Sequence, residues 1–221
     1  SAALSPRRSI RQSLLEPLVH FRIGAPPERE RLAIEALEAV GLEAAAMHRL
    51  PHQFSSGQRQ RISIARALLA NPEVLVADEA VSSLDVSVQA RILRLLGRLR
   101  TERGIAILFI SHDLAVIRQL ADTVGIMLRG QMVEYAPADA LFAGPAHPYT
   151  KQLLSAATDP DPTRVRTDDL VTNSVPSTRD RPSSGCLFFD RCPKALAECA
   201  GEAPLSRPTH DNGHHVVKCH L

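Results

Sequence analysis

The chain has 221 residues, enough for one ordinary core with a small appendage. Hydrophobic residues make up 44% and charged residues 23%, the balance of a soluble globular protein, and a formal charge of +2 supports no nucleic-acid partner. The longest apolar run, Ile105 to Ile110, is far too short to span a bilayer, and no charged leader with an apolar stretch opens the chain, so the cytosol is the expected compartment.

In chain order, Ile10 to His20 reads as a short helix interrupted near Pro17. Pro26-Pro27 then opens a clean helix, with Glu28 and Glu30 near its positive end, Ala33, Leu37 and Val40 on one face and Gly41 as the stop. A second short helix is expected over Glu43 to Arg49, and a longer one from Gln58 to Leu69 with Ile62, Ala65 and Leu69 on one side. Val74-Leu75-Val76-Ala77 reads as a strand buried on both faces. Val86 to Arg103 is a long amphipathic helix stopped by Gly104, Ile105 to Ile110 a second apolar strand, and Asp113 to Leu120 another helix. That alternation implies parallel strands joined by right-handed crossovers. Thr123 to Leu128 and Gln131 to Tyr135 flank Arg129-Gly130 as an edge hairpin. Ala138 to Ala157 gives two short helices around Gly144 and Pro148. Thr158 to Gly185, rich in Pro, Asp, Thr, Ser and Arg without periodicity, reads as a linker.

Reactive groups in parallel α/β sheets gather at the carboxyl ends of strands. The first strand runs into Asp78-Glu79, two adjacent acids that are costly after buried apolar residues unless they hold a cation or a reacting water. Asp78 there can hold Mg²⁺ and Glu79 can orient and deprotonate water; the alternative is that both cap the next turn. The second strand ends in Ser111-His112-Asp113, where His112 either meets a terminal phosphate or sits beside a helix start capped by Ser111 or Asp113. Phe54-Ser55-Ser56-Gly57-Gln58 opens directly into a helix, either as an anion site of backbone N–H groups or as an ordinary capped start.

Four cysteines, at 186, 192, 199 and 219, close the chain. Five, six and nineteen residues separate them, unlike paired C-x₂-C zinc knuckles, so spacing alone names no metal. Four thiolates suit zinc or a 4Fe–4S cluster, and His210, His214, His215 and His220 are substitute ligands. The other reading is four reduced thiols in a small apolar lobe, which would lack a core without a staple.

Taken together, order and wording resemble a known family. Ser55-Ser56-Gly57-Gln58-Arg59-Gln60-Arg61 with Ala65-Arg66-Ala67-Leu68 resembles the signature motif of ATP-binding cassette (ABC) ATPases. Leu75-Val76-Ala77-Asp78-Glu79 resembles the Walker B strand, Ser82-Ser83-Leu84-Asp85 the D-loop and Ile110-Ser111-His112-Asp113 the switch histidine. Ser5-Pro6-Arg7-Arg8, Asp85-Val86-Ser87-Val88-Gln89-Ala90 and Pro145-Ala146-His147-Pro148-Tyr149-Thr150 are similar to the ATP-binding subunits of oligopeptide and dipeptide importers.

The resemblance implies an α/β, ABC-type P-loop NTPase cassette in incomplete form. Its expected parts are a helical subdomain with the signature (1–72), a parallel-sheet ATPase core (73–135), a family-specific helical tail (136–158), a linker (159–184) and a cysteine-rich metal-binding lobe (185–221). It implies an ATPase driving peptide uptake, with Glu79 and His112 catalytic and Ser55, Ser56, Gly57, Gln58, Asp78 and Asp85 facing nucleotide. Implied cofactors are ATP and Mg²⁺, with a 4Fe–4S cluster, or alternatively Zn²⁺, on Cys186, Cys192, Cys199 and Cys219. Implied partners are a second cassette, in trans or fused, two transmembrane permease subunits and an extracytoplasmic peptide-binding protein, with the subunit peripheral on the cytoplasmic face of the membrane. A non-transport ABC ATPase and a non-catalytic signature-side or metal-binding fragment are the rival expectations. No G-x-x-x-x-G-K-[ST] motif occurs in the 221 residues, so this chain alone is expected to be inactive, as a truncated, split or half-of-a-fusion cassette. Two departures stand out: Ser56 replaces the first of two family glycines and is strained if that position needs φ > 0, and Ala80 replaces a proline after the catalytic Glu.

Overall fold

A computed structural model describes residues 4–81, 84–158, 184–209 and 213–221. Nearly all of the stretch read as a linker, together with Ser82, Ser83 and His210, lies outside the described residues. The chain divides into two compact units, Ser1–His112 and Asp113–Leu221.

Three helices build the first half of the first unit: α1 (Ile10–His20), α2 (Pro26–Ala39) and α3 (Ser56–Leu68). Ser9 starts α1 by accepting from the Gln12 N–H, while the Gln12 side chain accepts from the Ser9 N–H. Pro17 does not interrupt α1, contrary to the expectation, because Ile10, Leu14 and Leu18 are fully buried along one face and hold the turn together. The short helix expected over 43–49 is a 3-10 turn, Ala44–His48. Arg61 of α3 donates from Nη1 to the carbonyls of Val40 (3.2 Å) and Gly41 (3.1 Å), satisfying the end of α2, where Gly41 turns the chain at φ 73°.

The second half holds a parallel strand pair, β1 (Val74–Asp78) and β2 (Ala106–Ile110), in register from Val74↔Ala106 to Asp78↔Ile110. The crossover between them carries α4 (Val86–Arg103), which ends at Gly104 in the left-handed region. The strands are not buried on both faces as their unbroken apolar composition suggests. Leu75 and Ala77 are covered, but Val74, Val76, Leu108 and Ile110 are 58%, 59%, 55% and 45% exposed. One helical layer covers one face of a strand pair, and the described residues place no second layer on the other.

In the second unit Asp113 caps α5 (Leu114–Leu120), its Oδ1 accepting from the Ala115 N–H at 3.0 Å. Strands β3 (Thr123–Leu128) and β4 (Gln131–Pro137) form the expected hairpin. Its two-residue turn has positive φ at both Arg129 (48°) and Gly130 (81°), the geometry that matches strand twist. Then come α6 (Ala138–Ala143), α7 (Pro148–Thr158), a one-turn α8 (Glu198–Gly201) and two short strands, β5 (Ser206–Pro208) and β6 (Val216–Lys218). The sheet order is β3-β4-β6-β5, so the tail makes β4 an inner strand and leaves β3 at the edge.

Candidate functional site

The parallel register brings Asp78 opposite Ile110, and the chain leaves both strands at the same end. The Glu79 N–H donates to the Ile110 carbonyl at 2.9 Å, extending the ladder one residue past β1. Glu79 is itself left-handed, at φ 45°. A residue with a Cβ is strained there by about 1–2 kcal/mol, and such strain collects at functional positions. The twist directs its carboxylate to the neighbouring strand end, where Oε1 lies 3.2 Å from His112 Nδ1. Both side chains are solvent-accessible, at 59% and 72%, so an ordinary stabilising ion pair would contribute little here. Asp78 is exposed as well, which corrects the idea that burial makes the adjacent acids costly: the uncovered face of β1 leaves both hydrated.

The signature segment is a capped helix start. Ser55 Oγ accepts from the Gln58 N–H (3.3 Å) and Gln58 Oε1 accepts from the Ser55 N–H (2.9 Å), a reciprocal capping box. Ser56 occupies the first helical position, is exposed and is not among the residues with positive φ, so the expected backbone strain is absent. Gly57 is buried, and a Cβ built on it would lie 2.2 Å from Val88 Cγ1 in the first turn of α4. Asp85 caps that helix: Oδ1 accepts from the Val88 N–H (3.0 Å) and the Ser87 hydroxyl (2.7 Å). These two donors, the Val88 N–H first, hold its carboxyl below the usual carboxylate range. The structure thus joins Glu79 with His112, and the signature start with the Asp85 cap; Ser82 and Ser83 of the intervening loop lie outside the described residues.

The four cysteines are free and line a single pocket with His147 and Phe188. The Cys186 N–H donates to the Cys199 carbonyl at 2.8 Å, and Gly185 permits that approach: a Cβ there would lie 2.4 Å from the Ala200 carbonyl oxygen. Burial, reinforced by the charge of the other cysteines, pushes the Cys186 and Cys192 thiols up. Among the described residues, no group of three or more His, Cys, Asp or Glu side chains is placed to hold a metal ion.

Sequence reasoning missed the polar network beneath this lobe. Glu134 of β4 is 1% exposed, and its carboxylate accepts from three donors. Oε1 takes the Ala146 N–H (2.7 Å) and His215 Nε2 (2.6 Å), and Oε2 takes the His147 N–H (3.0 Å). His147 Nδ1 accepts from the Tyr149 N–H at 3.0 Å, and its ring also bonds the Lys218 backbone, which fixes the neutral tautomer with Nε2 as donor. Burial holds His147 below its ordinary value against the raising pull of Glu134 and of that backbone bond. Its ring and that of Tyr149 pack on Phe188, with centroids 5.9 and 5.4 Å away. The one local signal was an acid inside an otherwise apolar strand, Val133-Glu134-Tyr135.

Comparison with known proteins places these features. The model of the ABC transporter family matches residues 2–82, and that of the oligopeptide/dipeptide transporter C-terminal region matches residues 133–199. A Sinorhizobium fredii protein assigned as a peptide ABC transporter ATP-binding protein, y4tS, is 46% identical over all of this chain and 62% of its own length. A Bacillus subtilis protein assigned as an oligopeptide transport ATP-binding protein, YkfD, is 44% identical over all of this chain and 67% of its own length. The chain thus spans about two thirds of the length of these relatives. Among solved structures, the dimeric post-hydrolysis state of the ATP-binding cassette MJ0796 with ADP and Pi is 31% identical, with a TM-score of 0.55 over 61% of this chain and 59% of that one. The fold is accordingly the mixed α/β cassette of ABC ATPases. Glu79 beside His112 at paired strand ends, a capped signature helix and two matching family models agree, and the chain belongs to the ATP-binding proteins of oligopeptide and dipeptide ABC transporters.

Proposed function

We propose that this chain is the signature and hydrolytic portion of an ATP-hydrolysing subunit that energises peptide uptake across the cytoplasmic membrane. The observation that carries the reading is the left-handed Glu79 at the end of β1, its carboxylate 3.2 Å from His112 at the end of β2. Phosphoryl transfer to water needs an oriented nucleophile, charge neutralisation and little covalent chemistry from the protein. Glu79 orients and deprotonates the attacking water, and His112 contacts the terminal phosphate. Asp78, exposed beside them with its carboxylate open to solvent, suits Mg²⁺, which neutralises charge on the phosphates when bound. Ser55, Ser56, Gly57 and Gln58 present the start of α3 to a nucleotide whose phosphates are cradled elsewhere. That cradle belongs to a second cassette, in trans or fused, and Asp85 lies at the contact between the two. Two transmembrane permease subunits and an extracytoplasmic peptide-binding protein complete the assembly, with this subunit peripheral on the cytoplasmic face. Among the described residues no helix is long and apolar enough to cross a membrane. By itself the chain neither binds nor hydrolyses ATP.

Cys186, Cys192, Cys199 and Cys219 hold a 4Fe–4S cluster in this reading. Four thiols around one pocket fit such a group by donor chemistry. Zn²⁺ on the same four sulfurs is the alternative, and since no group of three or more His, Cys, Asp or Glu side chains among the described residues is placed to hold a metal ion, either group would draw the thiols closer together on binding. The bound group would tie α8 and β6 together in a lobe too small for a core of its own.

The test of the hydrolytic reading is Glu79→Gln in every cassette of the assembled full-length transporter. Loss of a positioned general base costs roughly 10²–10⁴-fold in turnover, with nucleotide binding retained. Turnover near the unsubstituted rate would overturn the assignment.

A further inference from the structure

Glycine is a poor residue for a helix interior, and Gly57 lies inside the first turn of α3. It does not sit there for conformational freedom, because it is not among the glycines with positive φ. Space explains it. A Cβ at Gly57 would meet Val88 Cγ1 at 2.2 Å, with Val88 Cβ and Cγ2 at 3.5 and 3.6 Å. Something must move at such a distance, and Val88 moves poorly. Its β-branched side chain has one strongly preferred rotamer in a helix. Its backbone is also held, since the Val88 N–H is the group that Asp85 caps.

We infer that the Gly57–Val88 contact is a positioning device: it brings the start of α3 to glycine distance from the start of α4, so that the signature segment and Asp85 move as one body. The inference rests on the proposed ATPase reading, in which both segments face nucleotide or the second cassette, and it adds a role for Gly57 beyond its N–H. Each helix start is rigid by itself, the first through the Ser55–Gln58 capping box and the second through Asp85. The glycine contact joins the two rigid starts with no side chain between them. A methyl group at residue 57 pushes them apart, and the phosphate-facing and interface-facing groups lose their common register. Ser56, exposed one residue earlier, has no such constraint.

The experiment is a cycle of Gly57→Ala, Val88→Ala and the double variant in the assembled full-length transporter, read by steady-state ATPase kinetics and thermal unfolding. Gly57→Ala is expected to lower kcat at least about tenfold with KM for ATP within about twofold, as for loss of an arrangement needed only in the transition state. Val88→Ala alone stays within about threefold of the unsubstituted kcat, and adding it to Gly57→Ala restores kcat to that level. Should Gly57→Ala fail to assemble, the double variant still decides: recovered assembly and turnover support the contact, and failure to recover overturns it. Glycine required for close approach of phosphate to its Cα predicts no rescue by Val88→Ala, which also overturns the inference. Unchanged turnover and melting in Gly57→Ala would do the same. The thermal cycle separates this from the ATPase reading. Recovery of the melting temperature by Val88→Ala reports the contact even if Glu79→Gln were to leave turnover intact.

Discussion

Glu134→Gln keeps the size of a buried side chain and removes its charge, and the three donors around it set the cost. The Ala146 N–H, the His147 N–H and His215 Nε2 all point at the carboxylate, at 2.7, 3.0 and 2.6 Å. An amide has one oxygen. Whichever way it turns, its NH₂ faces at least one of these donors, and that donor loses its partner in a site 1% exposed. A buried donor left unpaired costs about 1–3 kcal/mol. The bonds that survive go to a neutral acceptor and are roughly half as strong, so the sum is about 2–4 kcal/mol. The second unit is of a size for which each kcal/mol moves the midpoint by about 4 °C or more, which predicts a fall of about 10 °C. Hydrogen exchange offers a sharper assay, because the amides of Ala146 and His147 are themselves two of the donors. Their protection falls roughly 30- to 700-fold if opening becomes easier by that amount, at about 1.4 kcal/mol per decade. Unaltered protection at both amides, with an unaltered melting temperature, would refute the account of Glu134 as the anchor of the tail.

Gly185→Ala drives a methyl group into the Ala200 carbonyl and breaks the Cys186–Cys199 backbone bond, an overpacking cost of about 1–3 kcal/mol; alkylation of the four thiols then accelerates, whereas an unchanged labelling rate rejects the packing argument. His147 binds a proton less readily folded than unfolded, so its contribution is complete above its ordinary 6.5 and is lost as pH falls below that toward the lowered folded value. Thermal melts between pH 8 and pH 5 should show that decline, and His147→Asn should flatten part of it; an identical slope in the variant counts against a buried neutral ring. Anaerobic purification is expected to give about four iron and four sulfide per chain, while stoichiometric zinc without iron would remove the cluster from the proposal.

The elements visible in the sequence are those whose information is local. Two apolar runs gave β1 and β2, Arg129-Gly130 gave the hairpin, and Gly41 and Gly104 marked helix ends where the backbone does turn left-handed. Pro17 misled because a break signal competes with tertiary burial of Leu14 and Leu18, and burial prevails. The strand faces misled because composition reports what a face can tolerate, and Val76 and Leu108 are exposed here. Strands β5 and β6, three residues each, are too short to carry a period. Motif wording indicated Glu79, His112 and Ser55, but neither the left-handed turn at Glu79 nor the reason for a glycine at residue 57 is legible without neighbours from distant parts of the chain. Glu134 shows locally only as an acid inside an apolar strand, and its histidine partner is 81 residues away.

That separation fixes an order of events during synthesis. Strand β4, with Glu134 on it, leaves the ribosome long before His215 and β6 exist to meet it. Until then the carboxylate lacks its ring partner and one edge of β4 is unpaired, even after Phe188 has arrived to pack on His147 and Tyr149. Long-range strand pairing is slow, and an open edge invites pairing with other chains. The second unit is therefore a late folder by construction, closed by the segment that seats Cys219. A nascent chain stopped before residue 215 keeps the Ala146 and His147 donors of Glu134 but lacks the histidine and the strand that close the site.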